Sequence, residues 1–346
     1  LLMFFLFVFI NFSSFIIFFL SKKINLAFDN EFSKPQAIHL NSIPRILGIN
    51  ILFIFLFLFF NQKLINHDYF IILIISIICS LPGFLDDFGL KTNPYIRFSY
   101  QIISVTSVVI FFEFVGLLEP FEFLPNFLSN NLFMTFFTIF SILTIANSIN
   151  FIDGCNGLVN LYMILLSSIL YLFSNDFYLK QYCLIILIYL SITLFYNFPK
   201  ANAFIGDFGA YFLGFNISFL IIYINTNNIS FTLDVNEWFF ACLLAYPSFE
   251  IFSTILRRLK NKKSPFYPDN RHLHSIIYQI LTFKFIPLKA NYFTSIVILT
   301  LNLLFFSILL FLPVDLFYIG YFLFFLIFYF LRLILFSFLN KLLLQK

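Results

Sequence analysis

Continuous apolar runs of about 17–25 residues recur from one end of this chain to the other, and each is long enough to cross the hydrocarbon core of a bilayer as a helix. Of 346 residues, 61% are apolar and only 10% are charged, with Phe alone contributing 59. That leaves too little polar surface to solvate a globule of this size. The runs are unbroken, whereas a membrane β-strand would alternate over about ten residues. The expected class is an all-α, polytopic integral membrane protein forming a single transmembrane domain over 1–346. About eleven spans are read, at 1–20, 47–60, 69–82, 99–116, 132–149, 157–174, 182–198, 208–224, 237–256, 291–312 and 316–339. Residues 1–20 carry neither a basic start nor a small-residue cleavage site, so they read as a first helix rather than a signal peptide.

Lysine and arginine orient the chain. All but Lys63, Lys180 and Arg332 of the 20 basic residues fall on one side of the spans. The positive-inside rule makes that side cytoplasmic, with the N-terminus outside and the C-terminus inside. Cytoplasmic loops are then expected near 21–46, 83–98, 150–156, 199–207 and 257–290. The net charge of +4 is accounted for by this asymmetry and calls for no nucleic-acid partner. Cys79, Cys155, Cys183 and Cys242 have no paired spacing, which speaks against a disulfide framework or a cysteine zinc site.

Acids and amides interrupt the apolar chain in four cytoplasmic clusters. Asp86-Asp87 end the third run, and two adjacent carboxylates at a bilayer edge call for a cation or a basic side chain. Asn147, Asn150 and Asp153 recur at intervals of three, which stacks them on one helical face. The glycines that follow, Gly154 and Gly157, allow a ligand to approach the backbone, although Asp-Gly and Asn-Gly are also ordinary turn dipeptides. In Asn197 through Ala210, Asp207 stands before an apolar helix. It can serve as that helix's N-cap, or it can face a metal-bound diphosphate at a helix N-terminus. The longest polar stretch, 257–289, holds Arg271-His272-x-His274, whose alternate histidines face one way in an extended segment and could grip phosphates.

In this order, Asp86-Asp87, Asn147-x-x-Asn150-x-x-Asp153-Gly154-x-Asn156-Gly157, Phe204-x-Gly206-Asp207-x-Gly209 and Arg271-His272-x-His274 resemble the polyprenyl-phosphate N-acetylhexosamine-1-phosphate transferases. These glycosyltransferase family 4 enzymes begin O-antigen and related envelope polysaccharides in bacteria, and are related to the phospho-N-acetylmuramoyl-pentapeptide transferase of peptidoglycan synthesis. Lys34-Pro35 through His39, and Pro44-Arg45-x-x-Gly48, resemble the family's first cytoplasmic loop. The resemblance implies Mg²⁺-dependent transfer of a sugar 1-phosphate from a UDP-N-acetylhexosamine to undecaprenyl phosphate, with release of UMP. Mn²⁺ would be a substitute cation, the enzyme would sit in the bacterial inner membrane with its active site on the cytoplasmic face, and a homodimer is compatible with it. It further implies Asp207 as metal ligand, with Asp86 and Asp87 near the metal and the attacking lipid phosphate. Asn150 and Asp153 would organise the site, and His272 and His274 would join the catalytic group. Phe204 would stack on uracil, while Arg45, Asn147, Gly154, Cys155, Asn156, Asn197 and Arg271 would contact substrate. Three positions depart from the usual pattern: Asn156 and Ser275, where many relatives have Asp and His, and Ala210, where Ser is usual.

Two rivals remain. The peptidoglycan enzyme differs in the donor it accepts. A transporter would place ion-binding acids near the bilayer midplane, and the helix centres read here as almost free of charge.

Overall fold

The structure, a computed structural model, describes residues 2–24, 27–29, 42–90, 92–112, 130–262 and 271–344. Lys34, Pro35 and His39 of the first loop, and the Pro268-Asp269-Asn270 approach to Arg271, lie outside the described residues. Thirteen α-helices occupy the described chain: α1 (Leu2–Ile24), α2 (Asn50–Phe60), α3 (His67–Asp87), α4 (Pro94–Phe111), α5 (Asn131–Ile152), α6 (Leu158–Phe173), α7 (Phe177–Asn197), α8 (Gly206–Thr226), α9 (Glu237–Leu243), α10 (Ala245–Lys260), α11 (Leu273–Leu281), α12 (Pro287–Leu309) and α13 (Phe317–Leu344). A two-residue antiparallel pair, Phe28–Asp29 with Ile43–Pro44, is the sole sheet among the described residues.

Each of the eleven expected spans overlaps helix, but 237–256 is divided between α9 and α10, and residues 113–116 of the fourth lie outside the described residues. Among the described residues, seven helices are long and apolar enough to cross a membrane, and α9 with α10 makes an eighth only if the 70° bend between them is counted within one span. The segments at α2 and α6 are shorter apolar helices. Side-chain acceptors at Asn66, Asn93, Asn130, Asp176 and Asn236 cap the starts of α3, α4, α5, α7 and α9, satisfying backbone donors that have no partner within the helix.

Helix α8 is the hub. Its apolar window is 89% buried, against 22% for α1 and α13, because it lies between α3 and α5 while the terminal helices face outward. A Cβ at Gly214 would come within 2.6 Å of Ala146 Cα, so the α5–α8 crossing depends on small residues, as membrane helix packing often does. Within the bundle, Asn216 donates to Tyr182 Oη and, at 3.5 Å, to Ser76 Oγ. Toward one end of α3 and α8, Tyr69 donates to Asp176 and Tyr223 to Asp68. The opposite ends of the same two helices carry Asp86, Asp87 and Asp207.

Candidate active site

Three segments converge on the Asp207 carboxylate in the first turn of α8. Arg45 Nη1 lies 3.7 Å from Oδ1 and Arg97 Nη1 lies 3.6 Å from Oδ2. Asn150 Nδ2 donates to Oδ1 at 3.4 Å. These long contacts hold the carboxylate without saturating it, and its side chain is 27% exposed.

Asp207 does not cap its own helix. No side chain of the local chain caps α8; Asp87 does so from α3, accepting the Asp207 and Phe208 N–H groups at 2.9 Å each. Glycine is required on both sides of this contact. Gly206 has φ +76°, and a Cβ there would collide with the Asp87 carboxylate. A Cβ at Gly83, one turn before Asp87, would meet the Asp207 and Phe208 backbone at 2.7 Å. The neighbouring acid faces elsewhere: Asp86 accepts from Thr92 N and Oγ1 at 2.7 Å each and from Arg97 Nη1 at 2.8 Å. Both acids expected beside the metal are therefore engaged in holding α3, α4 and α8 in register.

Backbone pairing delivers Arg45. Phe204 N–H donates to the Pro44 carbonyl at 2.9 Å, while Ile46, Leu47 and Gly48 donate back to the carbonyls of Phe204 and Ile205 at 3.0–3.2 Å. Phe204 is half-buried beside Arg45.

Of the expected amide line on α5, only Asn150 reaches Asp207. Asn147 spends its amide on Gln101 of α4 at 3.1 Å and on the Leu143 carbonyl. Asn156 donates to the Pro199 carbonyl, and its own backbone N–H is taken by Asn291 of α12. Asn197 accepts from Gly157 N–H and donates to the Ala203 carbonyl. Asn156 and Asn197, expected to contact substrate, thus hold the frame of the 153–157 and 198–205 turns, while Asn147 ties α5 to α4. Cys155 is buried in the same turn.

Asp153 lies beyond the end of α5. Burial, reinforced by the Asp207 charge and offset in part by Arg45, pushes its carboxyl up to about 7. The folded chain then keeps this proton to about pH 7, whereas an unfolded Asp releases it near pH 4. Asp153 should accordingly lower stability as pH rises from about 4 to about 7, with no further loss above. Asp153→Asn, which mimics the protonated acid, should flatten the fall in thermal unfolding temperature across that window, measured in detergent with EDTA. An unchanged slope would assign the titration to another group.

The histidine loop is folded inward. His272 and His274 are 3% and 2% exposed, with their rings stacked 5.3 Å apart at 7°. Burial holds the His274 imidazole down at about 4, against the pull of Glu250 and with the help of His272. His274 Nε2 lies 2.6 Å from where a Gly154 Cβ would stand, so the glycine after Asp153 admits this ring. Arg271 is exposed, and its carbonyl accepts from Arg332 of α13 at 3.3 Å.

Comparison with known proteins now bears on these residues. Residues 69–225 match the model of the glycosyl transferase family 4. The matched stretch contains Asp86, Asp87, Asn150, Asp153, Phe204 and Asp207; Arg45 and the Arg271–His274 segment lie on either side of it. Over 135 residues the chain is 33% identical to the "probable undecaprenyl-phosphate N-acetylglucosaminyl 1-phosphate transferase" of Bacillus subtilis (strain 168), a stretch covering 37% of this chain and 36% of that protein. Over 81 residues it is 32% identical to the undecaprenyl-phosphate alpha-N-acetylglucosaminyl 1-phosphate transferase of Thermotoga maritima, covering 23% and 25% of the two chains. The chain thus matches about a third or less of the length of these curated relatives.

Two charged residues of the site were not singled out from sequence. Arg97 looked like one more topological cation, yet it bridges Asp86 and Asp207 and lies 5.6 Å from the Tyr211 ring. Glu250 fell inside an apolar span, yet it is fully buried and accepts from Leu273 N–H at 2.9 Å. A lone acid inside a membrane segment was the available signal for Glu250.

Proposed function

We propose that the chain transfers a sugar 1-phosphate from a UDP-N-acetylhexosamine to undecaprenyl phosphate and releases UMP. The observation that carries this reading is the meeting of Arg45, Arg97 and Asn150 around an unsaturated Asp207 at one end of a family 4 helical bundle. Such a site can neutralise phosphate charge where a lipid-borne and a water-borne substrate meet. In the reaction, an oxygen of the lipid phosphate forms a bond to the phosphorus that bears the sugar. The bond from that phosphorus to the bridging oxygen breaks, and its electron pair leaves with UMP. Phosphoryl transfer depends chiefly on positioning and charge neutralisation, and the attacking phosphate is already an anion. Arg45 and Arg97 would draw the diphosphate and lipid phosphate together, Asn150 and Asp153 would orient them, and Phe204 would stack on uracil.

The donor chemistry fits Mg²⁺. Among the described residues no three His, Cys, Asp or Glu side chains gather as a metal cage, but Mg²⁺ commonly takes one or two carboxylates and fills its shell with water and substrate phosphate. Asp207 would hold it, with Asp86 and Asp87 fixing the frame behind. Bound there, the cation would supply charge neutralisation for the diphosphate.

We place this site on the cytoplasmic face of a bacterial inner membrane, with eleven spans and α1 entering from outside; the distribution of Lys and Arg supports that orientation. Cysteine at Asn261 should react with an impermeant thiol reagent only after the membrane is opened, and cysteine at Asn228 should react from outside. The four native cysteines are buried, which keeps the background low. Reversed labelling would overturn the orientation.

The direct test of function is to incubate purified full-length protein with undecaprenyl phosphate, Mg²⁺ and a panel of UDP-N-acetylhexosamines together with the UDP-muramoyl-pentapeptide donor. Release of UMP with formation of a lipid-linked sugar diphosphate is expected for an N-acetylhexosamine donor. Turnover confined to the pentapeptide donor would favour the peptidoglycan reaction, and no UMP from any donor would overturn both.

A further inference from the structure

Glu250 is a buried acid that none of the steps above employs. We propose that Glu250 is a positioning residue, holding His272 with Nδ1 protonated and turned inward so that the Nε2 edges of the histidine pair are presented toward the Asp153 turn. In calling that edge functional, the inference rests on the transferase reading.

Three observations converge. Glu250 is fully buried, and its oxygens divide the work: Oε1 accepts Leu273 N–H at 2.9 Å, and Oε2 lies 3.1 Å from His272 Nδ1. His274 also turns Nδ1 toward Glu250, at 4.0 Å. On the opposite edge, His274 Nε2 lies against Gly154 of the turn before α6, and the parallel His272 ring lies 5.9 Å from the Phe151 ring near the end of α5. Which imidazole nitrogen carries the proton is set by the hydrogen bond the other nitrogen makes or lacks. A carboxylate can only accept, so Nδ1 of His272 must donate. Thr254 Oγ1 stands farther from the same nitrogen, at 3.4 Å. The 70° bend between α9 and α10 precedes Glu250 by one to two turns and aims this stretch of α10 at the start of α11.

Glu250→Gln tests the assignment by geometry. Leu273 N–H needs an acceptor, so the amide oxygen takes the Oε1 position and the NH₂ faces Nδ1. A donor then meets a donor unless the ring proton moves to Nε2. The full chain has four histidines, so ¹⁵N-histidine labelling at pH 8, with His272 assigned through His272→Gln, reads the tautomer directly. Wild type should carry the proton on Nδ1, and Glu250→Gln should move it to Nε2. The same variant should lower kcat by about 10- to 100-fold, the scale of losing the partner that orients a functional histidine, with KM for the UDP-sugar unchanged. Glu250→Asp, which keeps an acceptor-only group, should restore the Nδ1 proton and part of kcat. A bare Nδ1 in wild type overturns the proposal whether or not the variants fold. So does Glu250→Gln with an unchanged tautomer and unchanged kcat. If wild type releases no UMP with any donor, the transferase reading falls, while the spectra still support or overturn the role of Glu250 in orienting the ring.

Discussion

Asp207→Asn is expected to reduce transfer by at least about a hundredfold, the scale seen when one preorganised electrostatic group is removed from an active site, while the bundle stays folded. The separation follows from where the carboxylate sits. Asp207 is in the first turn of α8 but does not cap it; its oxygens face Arg45, Arg97 and Asn150 at 3.4–3.7 Å. An amide of the same shape keeps a contact with the arginines and loses the negative charge that balances them and would hold a divalent cation. The helix start is untouched, because Asp87 supplies its acceptors. Thermal unfolding close to wild type alongside lost turnover at saturating donor is the expected pair of results. Near-normal turnover at limiting Mg²⁺ would remove Asp207 from the chemistry.

Asp87→Ala should do the opposite first: the protein should lose stability before any question of catalysis arises. The carboxylate is 7% exposed and accepts two backbone N–H groups that open α8. Truncation strands both donors in a site too tight for ready access of water, at about 1–3 kcal/mol for each unsatisfied group. Helix α8 is the hub of the bundle, so the loss should appear as a lower unfolding temperature and poor recovery in detergent. Asp87→Asn keeps one acceptor oxygen and should fall between wild type and Asp87→Ala. Gly83→Ala offers an independent check at the same seam, since its Cβ would press on the Asp207 backbone at 2.7 Å. Wild-type stability in Asp87→Ala would show that this cap is dispensable.

These two acids mark how far the motifs could be read. Adjacent in sequence, Asp86 and Asp87 looked like one compensated pair at a membrane edge. On a helix of 3.6 residues per turn, neighbours point about 100° apart. Asp86 therefore meets Thr92 and Arg97 beside α4, while Asp87 meets α8. The Asn-x-x-Asn-x-x-Asp line was legible as one face of α5, yet only its Asn150 hydrogen-bonds to Asp207, with Asp153 close enough to feel that charge. Asn147 lies one turn deeper and meets Gln101. Sequence spacing identified the face; packing against α4 and α8 divided it.

What the sequence by itself determined is local: unbroken apolar runs dictate membrane helices, and clustered acids and amides mark one end of the bundle. Only the tertiary structure decided which of those groups converge. Asp87 and Phe208 are 121 positions apart, and Glu250 and His272 are 22 apart. Arg97 and Glu250 became part of the site for the same reason: a charge on an apolar chain is a topology signal until packing gives it a partner, and burial then makes that partner indispensable.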